Sequence, residues 1–143
     1  MSDQSPNASG VILVVDDSAM VRGIIRRTLQ MCGVDAARIR EAGDGAQGLE
    51  ALDALDAPPA LVLSDLQMPN VDGYAFIERL RQRDGMAGVP VAVITAEPNM
   101  SRLVKLIADH DVAGCIRKPF TPEALGELVN KLTNAAAKEK DAA

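Results

Sequence analysis

Val11-Ile-Leu-Val-Val-Asp-Asp17 sets five consecutive apolar residues, four of them β-branched, directly before two carboxylates. An unbroken run of this kind, without polar alternation, reads as a strand buried on both faces, the habit of parallel sheets. Ala19–Met31 then carries Met20, Ile24, Leu29 and Met31 in a helical stretch, with Gly33 placed to end it. A weaker strand is expected over Ala37–Glu41, then the turn Gly43-Asp-Gly45 and a helix from Ala46 to about Asp56, stopped by Pro58-Pro59. Ala60–Leu63 is the third strand, and Asp72-Gly73 starts a helix with Tyr74, Ile77 and Leu80 three apart and Phe76 beside them. Val91–Ile94, entered through Pro90, is the fourth strand. A helix from about Pro98 to Asp109 follows, with Leu103, Leu106 and Ile107 on one side. Val112–Ile116 gives a fifth strand, and Thr121-Pro-Glu-Ala opens a last helix with a capping residue and a proline at its first position. Five strands alternating with five helices imply an α/β fold, a doubly wound parallel sheet covered on both faces.

The 143 residues suit one domain, large enough to bury a core without disulfide or metal staples. Residues 1–9 are polar and punctuated by Pro6, and read as a disordered tail; residues 134–143 read as a fraying C-terminal tail with no apolar face, leaving 10–133 as the domain. Fifteen Lys and Arg against 20 Asp and Glu give a net charge of −5, which argues against coating nucleic acid or an anionic membrane. No apolar run approaches the ~20 residues of a membrane span, and the N-terminus has no signal core. Cys32 and Cys115 stand alone, outside any metal or disulfide spacing, which fits a cytoplasmic location.

The polar residues that follow the apolar runs carry the chemistry. The first strand ends in Asp16-Asp17, the third in Ser64-Asp65, the fourth in Thr95 and the fifth in Arg117-Lys118. In an open parallel sheet these ends share one edge, where ligands bind. Three carboxylates, a hydroxyl and an ammonium should therefore converge. Two unit charges ~4 Å apart repel by roughly 4 kcal/mol at an effective dielectric of 20, so the carboxylates need counter-charge. Lys118 supplies one positive charge, and a divalent metal is the natural other source. Hard oxygen donors select Mg²⁺, Ca²⁺ or Mn²⁺ over zinc. A carboxylate is also a nucleophile able to form an acyl phosphate, for which such a pocket supplies positioning and charge neutralisation.

Val14-Val-Asp-Asp17, Ser64-Asp-Leu-Gln-Met-Pro69 with Asp72-Gly73, Ile94-Thr-Ala96 and Lys118-Pro-Phe120 together resemble the receiver domain of two-component response regulators, over roughly Val11 to Leu132. The resemblance implies a flavodoxin-like fold and a phosphorelay role with Mg²⁺. Asp65 would be the phosphoacceptor. Asp17 and Asp65 would bind the metal directly, Asp16 through water, and Gln67 by its backbone carbonyl. Thr95 would be the switch hydroxyl and Lys118 the invariant cation, with Lys118-Pro119 commonly a cis bond. The implied partners are a histidine kinase or histidine phosphotransfer protein and a phosphorylation-dependent protein target. Nucleic acid and membrane are not expected as partners. A dimer through the face of the fourth helix, fifth strand and fifth helix is a further expectation. So is a stand-alone module that catalyses only its own phosphorylation and dephosphorylation.

One position departs from the family. An aromatic residue commonly sits three positions before the lysine and moves with the switch threonine; here it is Cys115. The alternative function is a Mg²⁺-dependent aspartyl-phosphate phosphatase, which commonly needs a second aspartate two residues after the nucleophile, where this chain has Gln67. A flavin-binding protein of similar architecture would need a phosphate cradle where Asp16-Asp17 would repel the phosphate. Blander readings stand beside these: Asp16-Asp17 as a helix cap, Asp72-Gly73 as a turn and helix start. Met20, Met31, Met68, Met86 and Met100 are expected to pack, and His110 to be an exposed loop residue. Arg22, Arg26, Arg27, Arg38 and Arg40 are expected to form a solvated face.

Overall fold

Strand formation follows the apolar runs, and the sheet follows from what those runs can bury. The computed structural model describes residues 10–142, with side chains described as far as Thr133; the tail expected at 1–9 lies outside the described residues. In chain order the elements are β1 (Ile12–Val15), α1 (Ala19–Met31), β2 (Ile39–Ala42), α2 (Gly45–Asp53), β3 (Leu61–Ser64), α3 (Gly73–Gln82), β4 (Val91–Thr95), α4 (Met100–His110), β5 (Gly114–Arg117) and α5 (Pro122–Ala142). The sheet is parallel throughout, in the order β2-β1-β3-β4-β5. This is the doubly wound α/β fold expected.

The pleat divides the core in two. Leu13 and Val15 of β1 point to one face, where Leu52 of α2, Phe76, Ile77 and Leu80 of α3, and Leu103 and Leu106 of α4 cover them. Ile12 and Val14 point to the other, against Ile25 and Leu29 of α1 and Leu125 and Val129 of α5. With both faces covered, β1, β3 and β4 are buried at every position. Each fully buried Val, Leu or Ile is worth about 1.5–3 kcal/mol over exposure, so this core offsets charge placed at the strand ends. Among the described residues no helix is long and apolar enough to cross a membrane.

Several expectations need correction. The second strand begins at Ile39, because Asp35 caps a short 3₁₀ turn over Ala36–Arg38. Helix α2 ends at Asp53, before the prolines reach it. Helix α4 starts at Met100, capped by Asn99, and runs on to include a half-buried His110. Its end takes in Val112, whose N–H donates to the Ile107 carbonyl, so β5 starts two residues later than expected. Met86 packs in the core and Met68 against it, but Met20 and Met31 are 77% exposed and Met100 52%. The arginine face is bonded as well as solvated: Arg22 and Arg26 both pair with Glu41. Only the backbone is described over 134–142, and there α5 continues to Ala142.

Candidate functional site

Strand β1 lies between β2 and β3, so the chain leaves it in opposite directions at this point of the sheet, and the carboxyl ends of β1 and β3 border the crevice that results. Val15 pairs with Ser64 in register, and the Asp65 N–H donates to the Val15 carbonyl at 2.8 Å, which sets Asp16 beside Asp65. Carboxylate oxygens of Asp16, Asp17 and Asp65 all lie within 4.8 Å of one another. Asp16 is 1% exposed and Asp65 5%, whereas Asp17 faces solvent.

Each buried carboxylate is held by one backbone N–H and one ammonium. Ser18 N–H donates to Asp16 Oδ1 at 2.9 Å, and Leu66 N–H donates to Asp65 Oδ1 at 2.7 Å. Lys118 Nζ bridges the pair, 2.9 Å from Asp16 Oδ2 and 3.2 Å from Asp65 Oδ2. The helix cap is Ser18, whose Oγ accepts from Val21 N–H, so the aspartates are not spent on capping α1. Lys118 reaches the site from the end of β5, where its own N–H donates to the Thr95 carbonyl and a cis bond leads to Pro119.

The electrostatics are those of a crowded anionic pocket. Burial first, and then the charge of Asp16, push the Asp65 carboxyl above the ordinary carboxylate range, against the pull of Lys118 and the Leu66 N–H. For Lys118, burial works against the charged form, but hydrogen bonds and charge from Asp16 and Asp65 outweigh it and raise its pKa. The donors are hard oxygens in excess over the one ammonium, a set able to bind a metal ion.

Of the residues singled out by sequence, Asp16, Asp17, Asp65 and Lys118 are brought together. Thr95 is fully buried at the end of β4, its Oγ1 accepting from Glu97 N–H at 2.9 Å. Gln67 is exposed on the Asp65 loop. Asp72-Gly73 is a helix start, with Asp72 Oδ1 accepting from Ala75 N–H, but Gly73 does more. Its N–H donates to the Leu66 carbonyl, and a Cβ there would lie 2.0 Å from the Asp65 carbonyl oxygen and 2.6 Å from Leu66 Cα. Only glycine lets α3 approach the Asp65 loop this closely. The dipeptide signals a turn; nothing local signals that contact.

Sequence reasoning also missed a buried cluster beside the site. Glu97 is buried in the loop after β4, where Oε1 accepts from Tyr74 Oη at 2.5 Å and Oε2 from Asn99 N–H at 3.1 Å. The Arg102 guanidinium stacks 3.7 Å from the Tyr74 ring centroid. A glutamate five positions before an α4 arginine is an ordinary loop pattern, so sequence spacing gives no warning of the cluster.

Known proteins supply the comparison. The family model described as the response regulator receiver domain matches residues 12–130. The chain is 30% identical over 121 residues to the sensor histidine kinase CheAY of Helicobacter pylori, covering 85% of this chain and 15% of that protein. It is 31% identical over 121 residues to the sensor histidine kinase TmoS of Ectopseudomonas mendocina, covering 85% of this chain and 12% of that one. It thus spans under a sixth of the length of these curated relatives. Among solved structures, the chemotaxis response regulator CheY4 of Vibrio cholerae superposes with a TM-score of 0.75 at 25% identity, covering 86% of this chain and 98% of that one. The acidic crevice at the β1–β3 edge and a family match running from the first strand into the last helix have one reading: this chain belongs to the response regulator receiver domain family of two-component signalling.

Proposed function

We propose that the chain accepts a phosphoryl group on Asp65 from a phosphohistidine of a histidine kinase or phosphotransfer protein, and that the acyl phosphate alters its affinity for a protein target. The observation that carries this reading is the Asp65 carboxylate, buried at a strand end, pinned by the Leu66 N–H and Lys118, and set against two further carboxylates. An oxygen of Asp65 forms the new bond to phosphorus as the bond from phosphorus to the donor imidazole breaks, its electron pair returning to the ring nitrogen. Lys118 holds the carboxylate in place beforehand and is the cation to which a new phosphoryl oxygen can turn.

The donor set fits Mg²⁺: hard carboxylate oxygens, one on an exposed residue open to water. Asp17 and Asp65 would hold it directly, Asp16 through water and Gln67 by its carbonyl. Bound there, the ion would neutralise charge on the transferring group. Thr95 would turn its hydroxyl to the phosphoryl oxygens. Signalling rather than substrate turnover is the role, the chain acting only on its own acyl phosphate, in the cytoplasm. The face of α4, β5 and α5, where Met100 and Val104 are exposed, is the proposed contact surface for target or dimer.

The test is incubation with a small phosphodonor and Mg²⁺, mapping of the modified residue by mass spectrometry, and capture of partners with and without the modification. An acid-labile phosphoryl group on Asp65 is expected. Its appearance on another residue would overturn the assignment.

A further inference from the structure

Tyr74 stands one residue after the glycine that touches the Asp65 loop, and it reaches across to the loop after β4. Two chains of contacts therefore meet at Glu97. One runs from Asp65 Oδ1 through the Leu66 N–H, the Leu66 carbonyl and the Gly73 N–H into the first turn of α3, where Tyr74 donates its hydroxyl to Glu97. The other runs from Thr95 Oγ1 to the Glu97 N–H. From Glu97 the contacts continue into α4: Oε2 accepts from Asn99 N–H, and Asn99 Oδ1, the cap of that helix, accepts from Arg102 N–H at 3.0 Å. Arg102 then folds back over the Tyr74 ring, its Nη1 4.0 Å from Glu97 Oε1.

This arrangement has a mechanical consequence. A buried backbone N–H must keep an acceptor. Thr95 Oγ1 can keep the Glu97 N–H as its donor while its own proton goes to a new oxygen, so a Thr95 side chain drawn toward the phosphoryl group would pull the Glu97 N–H, and with it the loop over residues 96–99. The hydrogen bond from Tyr74 and the one from Asn99 hold the Glu97 carboxyl below the ordinary carboxylate range, so it stays an acceptor. Burial and Glu97 push the Tyr74 phenol upward, so it stays a donor. The clasp is thus intact across ordinary pH, and a displaced loop carries the first turn of α4 with it. That turn bears the exposed Met100, with Val104 one turn on. Cys115, half-buried on β5 opposite Val93, has too small a side chain to make such a link from that side.

We propose that Tyr74, with Glu97 and Arg102, is the positioning unit that couples the Thr95 hydroxyl to the placement of α4, a role that falls to α3 because β5 offers only Cys115. The proposal rests on the reading of Asp65 as phosphoacceptor. A coupling of this kind works only through contacts that differ between the two states, and here the difference is the place to which the bonded Thr95–Glu97 pair is drawn.

The experiment is amide hydrogen exchange on the full chain with and without acetyl phosphate and Mg²⁺, in wild type, Tyr74→Phe and Arg102→Ala, with phosphorylation followed by intact mass. Phenylalanine keeps the ring under Arg102 and removes only the hydroxyl; Arg102 is exposed, so its truncation leaves the fold alone. In wild type, phosphorylation is expected to change exchange at Glu97, Asn99 and Arg102 by about tenfold, the scale of one charge-assisted hydrogen bond. Both variants are expected to be phosphorylated as wild type is, with the α4 response cut to about threefold or less. A merely structural contact would shift exchange equally in both states and leave the phosphorylation-dependent difference unchanged. An undiminished tenfold response in both phosphorylated variants would overturn the proposal, as would loss of phosphorylation in Tyr74→Phe, which would put Tyr74 in the chemistry. Absence of phosphate from Asp65 in wild type would overturn the phosphoacceptor reading itself, a different failure.

Discussion

Replacing Lys118 with alanine removes the one ammonium shared by two buried carboxylates. Nζ–Oδ separations of 2.9 and 3.2 Å correspond to roughly 5 kcal/mol of attraction each at an effective dielectric of ~20. Much of that offsets the desolvation of the three groups, so deleting one partner of such a cluster costs about 3–5 kcal/mol. Lys118 is partly exposed, and screening puts the expected loss near the lower end, about 3 kcal/mol at neutral pH. The carboxylates can relieve the loss by taking up a proton. Asp65 is already raised by burial and by Asp16, and without Lys118 it rises further. The native variant then binds more protons than its unfolded chain between the ordinary carboxylate value and the raised one, so its stability falls as pH climbs through that window and returns below it. Lys118 in the wild type is charged in both states over that range, its folded pKa being shifted up, and contributes no slope. Urea unfolding of both proteins should show a deficit of about 3 kcal/mol near pH 7, roughly 2 M in midpoint, shrinking below about 1 kcal/mol near pH 4. An equal deficit at both pH values would refute the electrostatic account and leave lost packing of the lysine stem as its cause.

Three further outcomes follow from the same geometry. Asp17→Asn, at an exposed position, should leave stability within about 0.5 kcal/mol of wild type but weaken Mg²⁺ binding by calorimetry; an unchanged titration would remove Asp17 from the metal site. Asp65→Asn should abolish acid-labile phosphate uptake and raise the unfolding midpoint at neutral pH, since a neutral amide replaces a carboxyl whose charged form burial disfavours; a lowered midpoint would mean that its bond to Lys118 outweighs that burial. Gly73→Ala should cost about 1–3 kcal/mol, because its Cβ would meet backbone atoms of Asp65 and Leu66 and not a flexible side chain; a midpoint matching wild type would show that the Asp65 loop can give way.

The parts of the fold legible in the sequence are those where one local cause dominates. The central strands β1, β3 and β4 are continuous apolar runs because both their faces are covered, and their ends fall within a residue of the structure. The edge strands were harder. β2 exposes Arg40 and Glu41, and the residues before it form a capped 3₁₀ turn, so its start is set by Asp35 and not by apolarity. The apolar Val112 belongs to the end of α4, where Asp111 at φ 54° reverses the chain. Met20 and Met100 carry apolar side chains at helical spacing, yet lie exposed, because spacing cannot say which apolar residues of a helix find a neighbour. At the site, Asp16, Asp17, Asp65 and Lys118 were readable because strand ends share an edge in any parallel sheet. Gly73, Tyr74 and Glu97 were not, because their contacts depend on how closely α3 and the loop after β4 approach one another, which no local pattern encodes.

That division bears on how the site can signal. Three carboxylates against one ammonium leave the cluster with a formal charge of −2, a balance that one divalent cation would close. A phosphoryl group on Asp65 would replace the carboxylate's −1 with about −1.5 to −2, a gain of about −0.5 to −1, and bring three acceptor oxygens into a pocket whose N–H donors are already placed. Lys118 is shared between Asp16 and Asp65, and the Leu66 and Ser18 N–H groups are bonded to the carboxylates themselves. Thr95 enters its bond with Glu97 as the acceptor, which leaves its own proton to be directed at a new oxygen. The charge change is local and easily read from the strand ends. Its transmission depends on what else that hydroxyl holds, and here it holds the Glu97 N–H, with Tyr74 and Arg102 beyond it. The proposed chemistry thus rests on residues that a parallel sheet gathers at one edge, while the proposed response would rest on the contacts among Thr95, Glu97, Tyr74 and Arg102.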